Sequence, residues 1–179
     1  MKIVVAFESM FGNTHHIADA IAEGLAPYGA VSTVNVNDPV SLGAASSADL
    51  LVVGGPTHVH GMSQPASRNE AGSVARGSGG KLTLEPRAPG IGVRDWMEDL
   101  DTVPPQFAAF DTRVDVARII SGSAADRIEH TLSQQGSHAL VEPGSFLVSK
   151  GTVLEEGELE RARAWGVGIG EAIGLLQHA

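Results

Sequence analysis

The chain contains no cysteine. Disulfides, thiolate metal sites and iron–sulfur clusters are thereby excluded. Basic residues are few: 12 Lys and Arg stand against 21 Asp and Glu, for a net charge of −9. They are scattered, whereas a nucleic-acid-binding face normally needs a basic patch. An acidic surface suits solubility or docking onto a basic partner. No apolar run approaches membrane-spanning length. The amino terminus lacks a signal-peptide pattern, because Met1 and Lys2 lead at once into a short apolar run. The expected setting is cytoplasmic, with neither nucleic acid nor membrane as a partner. No Gly-x-Ser-x-Gly follows a parallel strand, and no catalytic residue is assigned.

With 179 residues and 42% apolar content, the chain suits one domain with a sizeable core. Lys2 to Phe7 is a continuous apolar run, as in a strand buried on both faces. Ile17, Ala18, Ile21, Ala22 and Leu25 recur at helical spacing, so a helix is predicted over 16–25, ended by Pro27 and Gly29. Val31 to Val36 alternates, as a more exposed strand would. Ala44 to Ala48 suits a short helix, and Asp49 to Val53 a second buried strand. Residues 62–92 are rich in Gly, Ser, Pro and Arg and read as a long insertion, with a short helix over 64–75. Val93 to Leu100 follows as a helical turn or two. Gln106 to Asp111 is a further strand and Gly122 to Gln135 a helix. His138 to Val141 and Ser145 to Val148 are strand pieces split by Glu142-Pro143-Gly144. The final helix spans 157–177, with Leu159, Ala162, Trp165 or Gly166, Ile169, Ile173 and Leu176 in register. The order βαβαβαβαβα implies a parallel sheet with helices on both faces. Ligands of such sheets bind beyond the carboxyl ends of the strands.

The first strand empties through Ser9-Met10-Phe11-Gly12-Asn13-Thr14 into a helix. A helix start presents unpaired amides and the positive end of the dipole to an anion. Ser9 and Thr14 add hydroxyls, and Gly12 permits close backbone approach. A Walker A loop needs Lys before its final hydroxyl residue, yet Asn13 stands there, and no Lys or Arg lies between Lys2 and Arg68. The dinucleotide fingerprint needs three glycines, and this loop has one. A single terminal phosphate is the best guest; the plain alternative is a turn capped by Asn13 or Thr14. His58-x-His60 invites a metal reading, but no third ligand at a recognisable spacing supports it. Trp96 and Trp165, at helical spacing among apolar residues, read as core or interface.

Three stretches carry a resemblance to the flavodoxin family, and it covers nearly the whole chain. The first is the loop 9–14, close to the family's hydroxyl-x-x-Gly-Asn-Thr. The second is Gly54-Gly55-Pro56-Thr57-His58, close to its Gly-x-Pro-Thr-aromatic. The third is Ala109-Phe110-Asp111-Thr112-Arg113. The resemblance implies a three-layer α/β/α sandwich on a five-stranded parallel sheet of order 2-1-3-4-5, with FMN as cofactor. It implies that Ser9, Met10, Phe11, Gly12, Asn13 and Thr14 hold the phosphate. Pro56, Thr57, His58, Val59, His60 and Gly61 would lie against one side of the flavin ring, and Phe110, Asp111, Thr112 and Arg113 against the other. Many family members sandwich the ring between aromatic residues. His58 and Phe110 are the nearest candidates here, with the core as the alternative place for Phe110. Arg113 puts a cation where the surround is usually acidic, which would raise the flavin's potential. The implied role is electron transfer between a reductase and an acceptor protein. Two alternatives stay open: an NAD(P)H-dependent reductase of quinones or flavins, with the insertion shaping a substrate pocket, and a binding module with a degenerate flavin site.

Overall fold

In the computed structural model, which describes residues 1–58 and 61–177, β1 (Lys2–Phe7) is the strand that explains its own composition. Successive side chains of a strand point to opposite faces. Ile3, Val5 and Phe7 pack on one side with Ile17 and Ile21 of α1 (Asn13–Leu25) and Ile169 and Ile173 of α7 (Glu158–Gln177). Val4 and Ala6 pack on the other with Trp96 and Met97 of α4 (Val93–Glu98) and Ile128 and Leu132 of α6 (Ala124–Gln134). Both faces are covered from Ile3 to Phe7, so that run is apolar throughout.

β2 (Ala30–Asn35), β3 (Leu50–Pro56) and β4 (Gln106–Val114) complete the parallel order β2-β1-β3-β4. Where one fifth strand is expected, two pieces stand: β5 (His138–Ala139) and β6 (Gly144–Val148). Both pair parallel with β4, giving six strands in one sheet. β6 pairs with Phe110 to Val114, so β4 runs three residues past its expected end at Asp111. Asp111, Thr112 and Arg113 are therefore strand residues. The strand ends are staggered: Phe7, the last residue of β1, is level through Gly54 with Phe110, whereas β3 runs on to Pro56 beside Thr112, and β4 and β6 run on together to Val114 and Val148.

α1 starts at Asn13, before the predicted 16, because its polar first turn carries no apolar stripe. α2 spans Ser41–Ser46 and α5 Arg118–Ser121. The insertion forms α3 (Pro65–Gly77) and then returns along the first loop. There Ala71 and Ala88 pack on Met10 with Phe11 and Leu84, and the Glu85 amide donates to the Met10 carbonyl at 2.9 Å. Among the described residues no helix is long and apolar enough to cross a membrane.

α7 crosses α1 at near backbone contact. A methyl group built on Gly166 would stand 2.4 Å from the Ile21 carbonyl oxygen. Gly166 thus takes the crossing position, and neighbouring Trp165 is half-buried, edge-on to Phe110 and Phe146. Leu159 and Leu176, placed on the stripe by spacing, are exposed. Gly166→Ala is expected to destabilise the fold by about 1–3 kcal/mol, since neither backbone can yield cheaply. Gly168 faces open space. Gly168→Ala should stabilise by up to about 1 kcal/mol through helix propensity. Urea unfolding of both variants checks the pair; equal effects would contradict this packing.

Candidate functional site

The carboxyl ends of β1, β3, β4 and β6 enclose a cavity of about 220 Å³. Its wall includes Met10, Phe11, Asn13 and Thr14 from the first loop, Pro56, Thr57 and His58 from the second, and Thr112 and Arg113 from β4. Val114, Val148 and Thr152 complete it. Across Phe11 and Thr152 it adjoins a second cavity of about 640 Å³, which Lys81 and Thr83 of the insertion also line.

The first loop turns on one glycine. Gly12 sits at φ +93°, a left-handed turn that L side chains rarely adopt, and this turn directs the chain into α1. No side chain caps the helix, so its first amides keep their capacity for a ligand. α6 differs: there Ser123 accepts the Asp126 amide. Thr14 and Thr112 bring their hydroxyls together at 2.8 Å across the cavity wall. Asn13 donates its side-chain amide to the Thr152 carbonyl at 2.9 Å. Ser9 is buried beneath the loop, where its hydroxyl oxygen accepts the Gly12 amide at 3.1 Å.

His58 is held by a two-way backbone pairing with Gly61, at 2.8 and 3.0 Å. Burial lowers the proton affinity of its imidazole; Glu70 opposes this and Arg68 adds to it. The ring is therefore neutral at neutral pH. His58 also borders a pocket of about 210 Å³ against α3. The expected ring contacts Val59 and His60 lie outside the described residues.

Two residues assigned to the site by sequence stand behind it. Phe110 is fully buried, edge-on to Phe146 and Trp165 at 6.4 and 6.3 Å, in the core under α1 and α7. Asp111 is fully buried as well, and it fastens the loops together. Its Oδ2 accepts from Thr57 Oγ1 at 3.0 Å, Ser123 Oγ at 2.8 Å and the Ala125 amide at 3.0 Å. Its Oδ1 accepts from Ser145 Oγ at 2.6 Å. Ser145 in turn accepts from Arg113 Nε at 2.8 Å, and the Arg113 guanidinium also donates to the Val116 carbonyl at 2.7 Å. Sequence reasoning missed the β6 end and its Thr152. The signal was there, since a fifth parallel strand must also empty at this edge.

His15 and His16, at the start of α1, do not wall the cavity. His15 stacks on Phe7 at 4.5 Å and bonds Glu85 of the insertion at 2.8 Å. Trp96 is a fully buried core residue whose indole donates to Ser41 at 3.0 Å.

No family model matches the sequence, and no curated protein sequence matches it. Solved structures match along almost the whole chain. A flavodoxin from the domain Archaea shares 19% identity over 97% of this chain and 99% of its own, with a TM-score of 0.64. Oxidised Flavodoxin 1 from Bacillus cereus shares 18% over 96% of this chain and 98% of its own, with a TM-score of 0.65. A flavodoxin, WrbA-like protein from Agrobacterium tumefaciens shares 17% over 94% of each chain, with a TM-score of 0.55. Likeness at this identity speaks for the fold, and the parallel order β2-β1-β3-β4 with its split fifth strand agrees. The chain has the flavodoxin-like fold.

Proposed function

We propose that the protein binds FMN and transfers electrons between a reductase and an acceptor protein. The observation that carries this is the uncapped start of α1, opening into a cavity walled by the other strand ends. Bound FMN would supply reversible electron uptake; the chain's residues hold and tune it. The first-turn amides of α1 and the hydroxyls of Thr14 and Thr112 suit a phosphate dianion. Thr57, His58 and Arg113 wall the same cavity. Neutral His58 adds no charge there, so among the described residues Arg113 supplies the wall's positive charge, which favours an electron-rich ligand.

The second cavity, between the insertion and the 149–153 turn, supports another reading: an NAD(P)H-dependent reductase with a second substrate beside the first. Oxidation of NAD(P)H by the FMN-loaded protein, with no partner added, would favour that reading.

The test is titration of the apoprotein with FMN, followed by quenching of flavin fluorescence. Saturable binding is expected, and its absence would refute the proposal. Thr14→Ala should weaken binding by about 1–3 kcal/mol, as for a lost hydrogen bond to a charged group. Gly12→Val should weaken it more, because a β-branched residue does not hold φ +93°. Unchanged affinity in both variants would remove the phosphate from this loop.

A further inference from the structure

Behind the His58 wall lies a buried polar cluster that the proposed function does not use. Glu8 follows β1 and is almost fully buried, as is Ser63. Ser63 Oγ donates to Glu8 Oε1, and the Val93 amide donates to Glu8 Oε2 at 2.8 Å. Arg68 of α3 donates through Nη1 to Ser63 Oγ at 3.0 Å and through Nη2 to Asp95 of α4 at 3.1 Å. Asp95 also accepts the Gly92 amide at 3.1 Å. The groups facing Glu8 are thus Ser63, cationic Arg68 from α3 and anionic Asp95 from α4, with the uncharged Gly55 of β3 beside its side chain. No space is spare: a methyl group on Gly92 would lie 2.4 Å from Arg68 Nη1 and 2.7 Å from Ser63 Oγ.

The cluster is tied to the cavity through the chain itself. Ser63 stands two residues after Gly61, and Gly61 is paired in both directions with His58. Met62, between them, is buried.

We propose that Glu8, through Ser63, is a positioning residue for the His58 wall, and that its ionisation state sets how firmly that wall is held. The inference rests on the FMN reading only for its effect on affinity. Ionised Glu8 is an acceptor at both oxygens and grips Ser63 and Val93 by charge-assisted bonds, which are roughly twice as strong as neutral ones. Protonated Glu8 loses that grip at one oxygen. Burial also raises its proton affinity above the ordinary value, while the bonds from Ser63 and Val93 and the charge of Arg68 pull the other way. A carboxyl raised in the folded state stabilises the fold below its ordinary value of about 4.5, and this contribution is lost as pH rises through the raised value. Acidification therefore relieves the fold while loosening the wall. A purely structural residue would move stability and affinity together.

The experiment compares wild type, Glu8→Gln and Ser63→Ala between about pH 5 and pH 8. FMN affinity of wild type should fall on acidification on the order of tenfold more than that of Glu8→Gln, one unit of proton linkage. The ligand's own phosphate titrates near pH 6 in both proteins, so the difference isolates Glu8. Over the same range, wild-type stability should rise relative to Glu8→Gln. Ser63→Ala should flatten the affinity profile in the same way, and it serves if Glu8→Gln fails to fold. Superimposable profiles for all folded proteins would overturn the proposal. If wild type binds no FMN, the reading fails while this inference stays testable in the apoprotein. There, an NMR titration of the His58 ring should carry a Glu8-dependent step in wild type that Glu8→Gln lacks; identical curves would overturn it.

Discussion

One buried carboxylate holds the working edge of this protein together. Asp111 receives Thr57, Ser123, the Ala125 amide and Ser145, which belong to the β3 exit, the start of α6 and β6. Burying a lone carboxylate costs several kcal/mol. Donors at both oxygens offset that cost, with hydrogen bonds to a charged group contributing about 1.5–3 kcal/mol each. The position of α6 strengthens the arrangement, because Oδ2 lies at its amino-terminal amides, where negative charge is favoured. Thr57 passes the constraint on: it donates to Asp111 and accepts the Ala124 amide at 2.9 Å, and its own amide bonds the Thr112 carbonyl at 2.8 Å. Asp111, expected beside a flavin ring, thus also fastens the wall of the cavity from behind.

The same economy marks the first loop. No side chain caps the first turn of α1, while the other groups of the loop are engaged in holding shape. Ser9 supports Gly12 from below, Asn13 ties the loop to the 149–153 turn, and the Met10 carbonyl receives the insertion. Thr152 adopts φ +63°, the one non-glycine residue with positive φ among those described. A β-branched residue in that region is uncommon. It stands where the two cavities meet. Strain of this kind persists where surrounding contacts over-determine it.

The insertion reads from composition as a long polar segment, yet it is a buttress. It closes over Met10 with a small apolar cluster, reaches His15 through Glu85, and brings Arg68 into the buried polar cluster of Glu8, Ser63 and Asp95. Small residues and arginine, which lower its apparent core content, are what this placement needs. Gly92 leaves room for Arg68, and Arg68 bridges two elements with one planar fork.

The alternation of buried strands and amphipathic helices, and the glycine turn that leads into α1, were legible in the sequence. Each is a local property: apolar runs covered on both faces, stripes of period 3.6, a glycine and hydroxyls at a strand-to-helix turn. The parallel class followed from the order of elements. What the chain could not declare locally was register and long-range pairing. Phe110 and Asp111 are expected at a strand exit, but β4 pairs with β3 on one side and β6 on the other and runs on to Val114, which keeps both inside the structure. Asn13 and Thr152 meet across 139 residues, so no spacing rule announces the fourth wall of the cavity. Glu8 reads as one acidic residue after a strand, and its burial becomes visible once α3 and α4 close over it. Local pattern determines which segments fold in which way; tertiary contact decides which polar groups face a ligand and which are spent on holding the site, because a buried polar group must find partners wherever the chain brings them.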